Sequence, residues 1–256
     1  ARSGCRKRSR LMKIRVALTV LLPLLLLHCS GRKYIKDFES NIQNPSNNIV
    51  ALARDFEALQ NLKDSCYKEY QNTIHIYSID FLSNSFSKEL DVVLENHKFH
   101  FDIIINNAGY LLNKPFADHS NTEIENIYKV NVFSPITIMQ KTFPLLDSQK
   151  KCHVVNIGSM GCVQGSVKFP GLSIYSSSKA ALANITECLA EEYKDKNIYI
   201  NCLALGSVQT KMLEEAFPGY VAQVSAIEMA KYIYNFSIQD PMYMNGKILP
   251  LSIATP

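Results

Sequence analysis

The chain has 256 residues, 47% of them hydrophobic and 20% charged, which suits one domain with a full core and excludes a disordered or fibrous chain. Its formal charge of +4 comes from the start: Arg2, Arg6, Lys7, Arg8, Arg10, Lys13 and Arg15 meet no acid before Asp37, and without these seven, 20 basic residues face 23 acidic ones. A body of that sign carries no electrostatic footprint for nucleic acid, and seven cysteines without a Cys-x-x-Cys pair plus six unclustered histidines give no metal spacing.

The predicted elements alternate along the chain. A cationic start leads into the apolar run Val16–Leu27, with Ser30-Gly31 beyond it. As a helix those 12 residues reach about 18 Å, short of a bilayer's roughly 30 Å hydrocarbon core, and Pro23 interrupts them. A membrane span is not expected. Arg32–Asn41 reads as a helix and Asn44-Pro45-Ser46-Asn47 as a turn. Asn48–Ala53 is a short buried strand, Asp55–Tyr70 a helix, Thr73–Ile79 a strand, Ser85–His97 a helix and Phe101–Asn106 a strand. Ser120-Asn-Thr-Glu123 has the form of a capping box, in which hydroxyl and carboxylate each satisfy a backbone N–H, and it opens a long helix toward Leu145. Cys152–Ile157, Ile198–Leu203 and Gly246–Leu251 are further strands. Ser173–Tyr193 is a helix, and Ser225-Ala-Ile-Glu228 caps another that reaches Phe236. Strands alternating with helices predict an α/β chain whose parallel sheet is covered on both faces.

Four motifs sit on this frame. Asn106-Asn107-Ala108-Gly109 leaves a strand, Asn131 lies inside the long helix, and Ser159 closes Val154–Ser159, sixteen residues ahead of Tyr175. Tyr175-Ser-Ser-Ser-Lys179 sets a phenol and an ammonium four residues apart, on one face of a helix. A phenol with a pKa of about 10 is a poor proton donor at neutral pH, but a neighbouring cation favours the phenolate and lowers that value. A serine hydroxyl at the carboxyl end of a strand can donate to a carbonyl oxygen where charge develops. Each motif alone has an ordinary alternative: a turn serine, a half-buried tyrosine, a solvated lysine, an asparagine satisfying local backbone.

Together and in this order they resemble the short-chain dehydrogenase/reductase family, from about Asn48 to the C-terminus. The resemblance implies a single doubly wound, Rossmann-type parallel sheet of about seven strands, ordered 3-2-1-4-5-6-7, with helices on both faces. It implies hydride transfer between NADP(H) and a carbonyl or alcohol substrate. Tyr175 would give or take the proton at the substrate oxygen. Lys179 would lower the Tyr175 pKa and bond the nicotinamide ribose, Ser159 would hold the carbonyl, and the Asn131 backbone would hold a water that relays protons to Lys179. Arg54, directly after the second strand, suits an adenosine 2′-phosphate better than a 2′-hydroxyl, so NADP(H) is preferred over NAD(H), although Asp55 follows it. Asp80 resembles an adenine-binding aspartate, and the backbone of Asn107, Ala108 and Gly109 would approach the cofactor. In Leu205-Gly206-Ser207-Val208-Gln209-Thr210, the Val208 backbone and Thr210 hydroxyl would hold the nicotinamide amide, with Leu205 in place of the family's proline. Tyr110, Leu111, Phe169, Met212, Phe217 and Tyr220 either shape a hydrophobic carbonyl pocket or pack as a lid. The family also implies a cytoplasmic homodimer or homotetramer, joined through the helices that carry Asn131 and Tyr175.

One departure stands at the amino end. The family's Thr-Gly-x-x-x-Gly-x-Gly turn, which brings backbone to the pyrophosphate, is missing; where it belongs, the chain runs from Thr19 to Gly31 and only Gly31 matches. Three accounts compete. One is a secretory signal, although His28 spoils a small-x-small cleavage site. Another keeps Lys13–Leu18 as the first strand, with the loop deleted. The third, preferred because everything after Gly31 keeps the pattern, is a faulty gene model or intron read-through. The domain is accordingly drawn at 31–256, with 1–30 as an atypical basic and apolar segment. A secreted or membrane-associated chain, through residues 16–27, is the alternative to a cytoplasmic one. A catalytically silent binding or scaffold protein is the alternative to an enzyme. In any case residues within Ile14–Leu27 must fill the central strand's slot, because the backbone groups of its two buried neighbours need partners.

Overall fold

The computed structural model of the chain describes residues 15–19, 48–70, 74–97, 100–146 and 149–253. In chain order the strands are β1 (Arg15–Thr19), β2 (Asn48–Ala53), β3 (Ile74–Ser78), β4 (Ile103–Asn106), β5 (Cys152–Ser159), β6 (Ile198–Leu205), β7 (Val208–Gln209), β8 (Val224–Ser225) and β9 (Ile248–Leu251). The α-helices are α1 (Phe56–Tyr70), α2 (Phe86–Asn96), α3 (Asn121–Tyr128), α4 (Ser134–Thr142), α5 (Ser173–Glu192), α6 (Lys211–Ala216) and α7 (Ala226–Ile238). One parallel sheet runs in the order β3-β2-β1-β4-β5-β6-β9, and β7 pairs with β8 apart from it.

β1 is central. Arg15 pairs with Asn48 and Thr19 with Leu52 on one side, while Val16 pairs with Ile103 and Thr19 with Asn106 on the other. This is the arrangement that a first strand over Lys13–Leu18 requires, and it supplies the backbone partners that β2 and β4 need. The sheet thus takes in residues ahead of position 31. The rest of the apolar run to Leu27, the glycine-turn position at Gly31, the helix expected over Arg32–Asn41 and the turn at 44–47 lie outside the described residues.

Side-chain alternation divides the core between the two faces. Val50 and Leu52 enter one cluster with Ile104, Val154 and Ile200, against Leu90 and Val93 of α2. Ala51 and Ala53 point the other way, onto Leu59 and Leu62 of α1, and Ile105, Val155 and Leu203 pack on Met229, Ile233 and Phe236 of α7. Strands buried on both faces read as near-continuous apolar runs, the pattern these segments carry. Ser120 with Glu123, and Ser225 with Glu228, form the two capping boxes that open α3 and α7.

The long helix expected from Ser120 toward Leu145 is not one α-helix. α3 passes into a π turn over Lys129–Phe133, then α4, then a 3-10 turn over Phe143–Leu145. Two causes are visible. The Ser134 hydroxyl donates to the Lys129 carbonyl at 2.7 Å. Pro135 has no N–H, so the Asn131 carbonyl loses its α-helical donor.

Candidate active site

Because the sheet is parallel, Ala53, Asn106, Ser159 and Leu205 all finish at one edge, and the register pairs Asn106 with Asn156 and Ser159 with Leu205. α5 starts beside that edge, so Tyr175 falls in its first turn and Lys179 one turn deeper. A cavity of about 510 Å³ opens there, lined by Asn107, Gly109, Ser159, Tyr175 and Lys179, with Val208 and Thr210 from beyond β6. Seven of the residues singled out by sequence are thus brought together. Asn131 sits directly behind them, fully buried, and Ala108 packs against the core below. Arg54 and Asp80 do not line this cavity. Arg54 is exposed at the end of β2, its carbonyl accepting from the Ser78 hydroxyl at 3.0 Å; Asp80 accepts the Leu82 N–H at 3.0 Å.

Lys179 is 3% exposed, its Nζ donating to the Ile157 carbonyl at 2.8 Å and lying 5.9 Å from the centre of the Tyr175 ring. Burial lowers its pKa to about 8, against an upward pull from the Cys202 and Cys162 thiols. Tyr175 departs from expectation. Its phenol is pushed up to about 12, because loss of hydration outweighs the hydrogen bond from the Ser159 hydroxyl. The depression expected from Lys179 does not prevail: burial sets the direction, and Cys162 adds to the rise. At neutral pH both groups therefore hold their protons, the state a proton-donating site needs.

Asn131 works through its side chain as a brace. Its Oδ1 accepts the Tyr110 N–H at 2.7 Å, while its Nδ2 donates to the Tyr110 carbonyl and to Ser178 Oγ, each at 2.9 Å. It thereby fixes the chain leaving β4 against α5. Thr210 caps α6, its hydroxyl accepting from the Leu213 N–H at 3.3 Å, so its own proton is left to donate outward.

Cys202 and Ser178 carry parts of the site that the motifs did not flag. The Cys202 and Cys162 thiols interact: the contact, helped by Lys179, holds Cys162 below its ordinary pKa, while the same contact and burial hold Cys202 above its own against the pull of Lys179. Register alone brings Cys202 here, since it pairs with Asn156 two residues short of Gly158. Ser178 had a local signal, lying one residue before Lys179 on the buried side of α5.

The nicotinamide end of a dinucleotide can be tested against this geometry at Gly109. A Cβ there would stand 3.6 Å from Lys179 Nζ and 3.7 Å from both Asn131 Oδ1 and Met212 Cε, filling the hollow between them. The bare backbone of Gly109, the Thr210 hydroxyl and the buried Lys179 cation make a cradle that fits such a group. Among the described residues no cluster of three metal-ligating side chains occurs, and no helix is long and apolar enough to cross a membrane.

The sequence model for short chain dehydrogenases matches residues 41–220. The chain belongs to the short-chain dehydrogenase family. It is 35% identical over 116 residues to an L-2,3-butanediol dehydrogenase of Corynebacterium glutamicum, a stretch that is 45% of this chain and 44% of that protein. It is 23% identical over 197 residues to an uncharacterised oxidoreductase of Staphylococcus epidermidis, covering 77% of this chain and 82% of the other. The chain thus spans less than half the length of the first relative. A short-chain dehydrogenase of Shigella flexneri solved with NADP superposes with a TM-score of 0.78 at 20% identity, over 94% of this chain and 98% of that one. An L-sorbose reductase of Gluconobacter frateurii solved with NADPH and L-sorbose gives 0.77 at 17%, over 95% and 96%. These two likenesses carry the fold.

Proposed function

We propose that the chain is an NADP(H)-dependent oxidoreductase acting on a carbonyl or alcohol group. The observation that carries this reading is the meeting of Ser159, Tyr175 and Lys179 in one cavity, at the sheet edge where this fold binds its ligands. When bound, the nicotinamide supplies or takes the hydride. The chain's own residues do the rest. The Ser159 hydroxyl donates to the substrate oxygen and holds it beside the phenol. Tyr175 delivers its proton to that oxygen as charge builds there, and takes it back in the oxidative direction. Lys179 offers a buried cation to the ribose hydroxyls and to the developing phenolate. The Asn131 carbonyl, without its α-helical donor, is available to a water that passes protons toward Lys179.

Arg54 supports the phosphorylated nucleotide, since an exposed guanidinium beyond β2 suits a 2′-phosphate, and both solved relatives named above hold NADP or NADPH. Asp80 takes the adenine side, with the Val208 backbone and Thr210 hydroxyl on the nicotinamide amide. The domain comprises residues 31–256 together with Arg15–Thr19, which lies ahead of them and supplies the central strand. We further infer a cytoplasmic homodimer or homotetramer joined through α3–α4 and α5; Phe133, 56% exposed between α3 and α4, supports such a contact.

Titration with NADPH, and with NADH beside it, tests the reading. Saturable binding with NADPH tighter is expected. Tighter NADH overturns the role of Arg54. No binding of either overturns the enzyme and favours a silent scaffold of the same fold.

A further inference from the structure

We propose that the carbonyl substrate is uncharged and apolar away from its reacting oxygen. This rests on the oxidoreductase reading and specifies the substrate class of the same site.

The cavity beside Tyr175 is walled by two apolar arms. Val167 and Phe169 come from the loop between β5 and α5; Met212, Leu213 and Phe217 come from α6 and the residues after it. Among the described residues lining the cavity, Lys179 alone is charged, and its ammonium is held by the Ile157 carbonyl. Charged side chains near the lining residues in sequence do not themselves line the cavity, and each has a partner of its own. Lys168 donates to the Val163 carbonyl at 2.6 Å and to Ser166 Oγ at 2.7 Å. Lys114 pairs with Glu123 at 2.9 Å, Glu214 accepts the Gln209 amide at 2.8 Å, and Lys211 lies 3.7 Å from Glu215. A carboxylate or phosphate entering this cavity would lose its hydration and find one cation in the described lining, Lys179, which lies at the Tyr175 end and not along the apolar arms. The hydroxyls of Ser207 and Tyr220, 3.1 Å apart, share one hydrogen bond with each other.

The arms are braced into a pocket, which decides between the two readings of the aromatic set. Asn113 Nδ2 donates to the Ala216 carbonyl at the end of α6 at 2.8 Å, and the Lys114 N–H donates to the Gly171 carbonyl at 3.0 Å. Gly171 has φ +83°, and a Cβ on it would stand 2.0 Å from Asn113 Oδ1. The loop after Asn-Asn-Ala-Gly thus locks both arms, and only glycine fits the joint. Outside the joint, Val167, Phe169 and Tyr220 remain 55%, 59% and 50% exposed, an apolar rim facing the entrance.

The test compares methyl hexyl ketone with the analogue whose terminal methyl is a carboxylate, so that the carbonyl and chain length are the same. With NADPH as reductant, kcat/KM for the neutral ketone is expected to exceed that of the carboxylate by more than about tenfold. A ratio of about tenfold or less overturns the inference. Calorimetric binding of both compounds, with and without NADPH, separates the two claims. A neutral compound bound more than about tenfold tighter with no turnover of either sinks the oxidoreductase reading and leaves the apolar pocket standing. Equal binding sinks the apolar pocket whatever the turnover.

Discussion

The two ends of the carboxyl edge of the sheet are held differently. At the β5–β6 end the polar groups are locked: Lys179 on the Ile157 carbonyl, Asn131 on Tyr110 and Ser178, with Lys179 and Asn131 almost wholly buried. At the β2–β3 end Arg54 stands in solvent and Asp80 is only partly covered. Under the proposed function the contrast follows from what each end would do. Groups that touch reacting atoms gain from fixed geometry, because misplacement by an ångström costs rate. A cation that recognises a phosphate acts over a longer range and keeps its hydration until the ligand arrives.

Four perturbations would break or sharpen that contrast. The largest effect is expected at the locked end. Tyr175→Phe should cut carbonyl reduction by about a hundred- to ten-thousand-fold with NADPH affinity unchanged, measured by steady-state kinetics beside a binding titration. Unimpaired turnover would remove the phenol from the chemistry. Next comes the packing beneath it. Leu182, 1% exposed on α5, should cost about 2–5 kcal/mol of unfolding free energy as Leu182→Ala, whereas Val92→Ala, at a position 57% exposed, should stay within about 0.5 kcal/mol in the same denaturant series. Similar losses at the two sites would mean the catalytic helix is not core-anchored. At the open end, Arg54→Ser should weaken NADPH about tenfold and leave NADH unchanged, since one charge-assisted contact is lost.

The smallest effect is a matter of pH. Lys179 gives up its proton as pH rises through about 8, while Tyr175 keeps its own to about 12. The reductive kcat/KM should therefore be level below that first value and fall above it, while oxidation, which needs the phenolate, should rise only as pH approaches the Tyr175 value. A pH profile with no inflection near 8 would detach Lys179 from the reaction.

Much of this was legible in the chain itself. The unbroken apolar runs at Val50–Ala53 and Ile103–Ile105 mark strands buried on both sides, and Ser120–Glu123 and Ser225–Glu228 announce two helix starts that the structure forms as capping boxes. Tyr175 and Lys179 share a face because four residues make about one helical turn, and that local rule needs no tertiary knowledge. What escaped the reading depends on the assembled molecule. The Tyr175 pKa moved up because burial opposes the phenolate, and the extent of burial is a property of the folded chain. Cys202 reached Cys162 by strand register, which spacing along the chain does not encode. The break at Lys129–Phe133 had a local cue in Pro135, but its form as a wide turn came from Ser134 reaching back to Lys129.

That wide turn has a consequence for what lies after it. Each residue advances an α-helix by about 100°, so one residue more or fewer between Lys129 and Phe133 would rotate α4 by about that angle. Ile138 and Met139, now 3% and 1% exposed, would swing from the sheet toward water. Substitutions in the segment should be tolerated far better than deletions, because its residue count sets the phase between the substrate edge and the helix layer behind it.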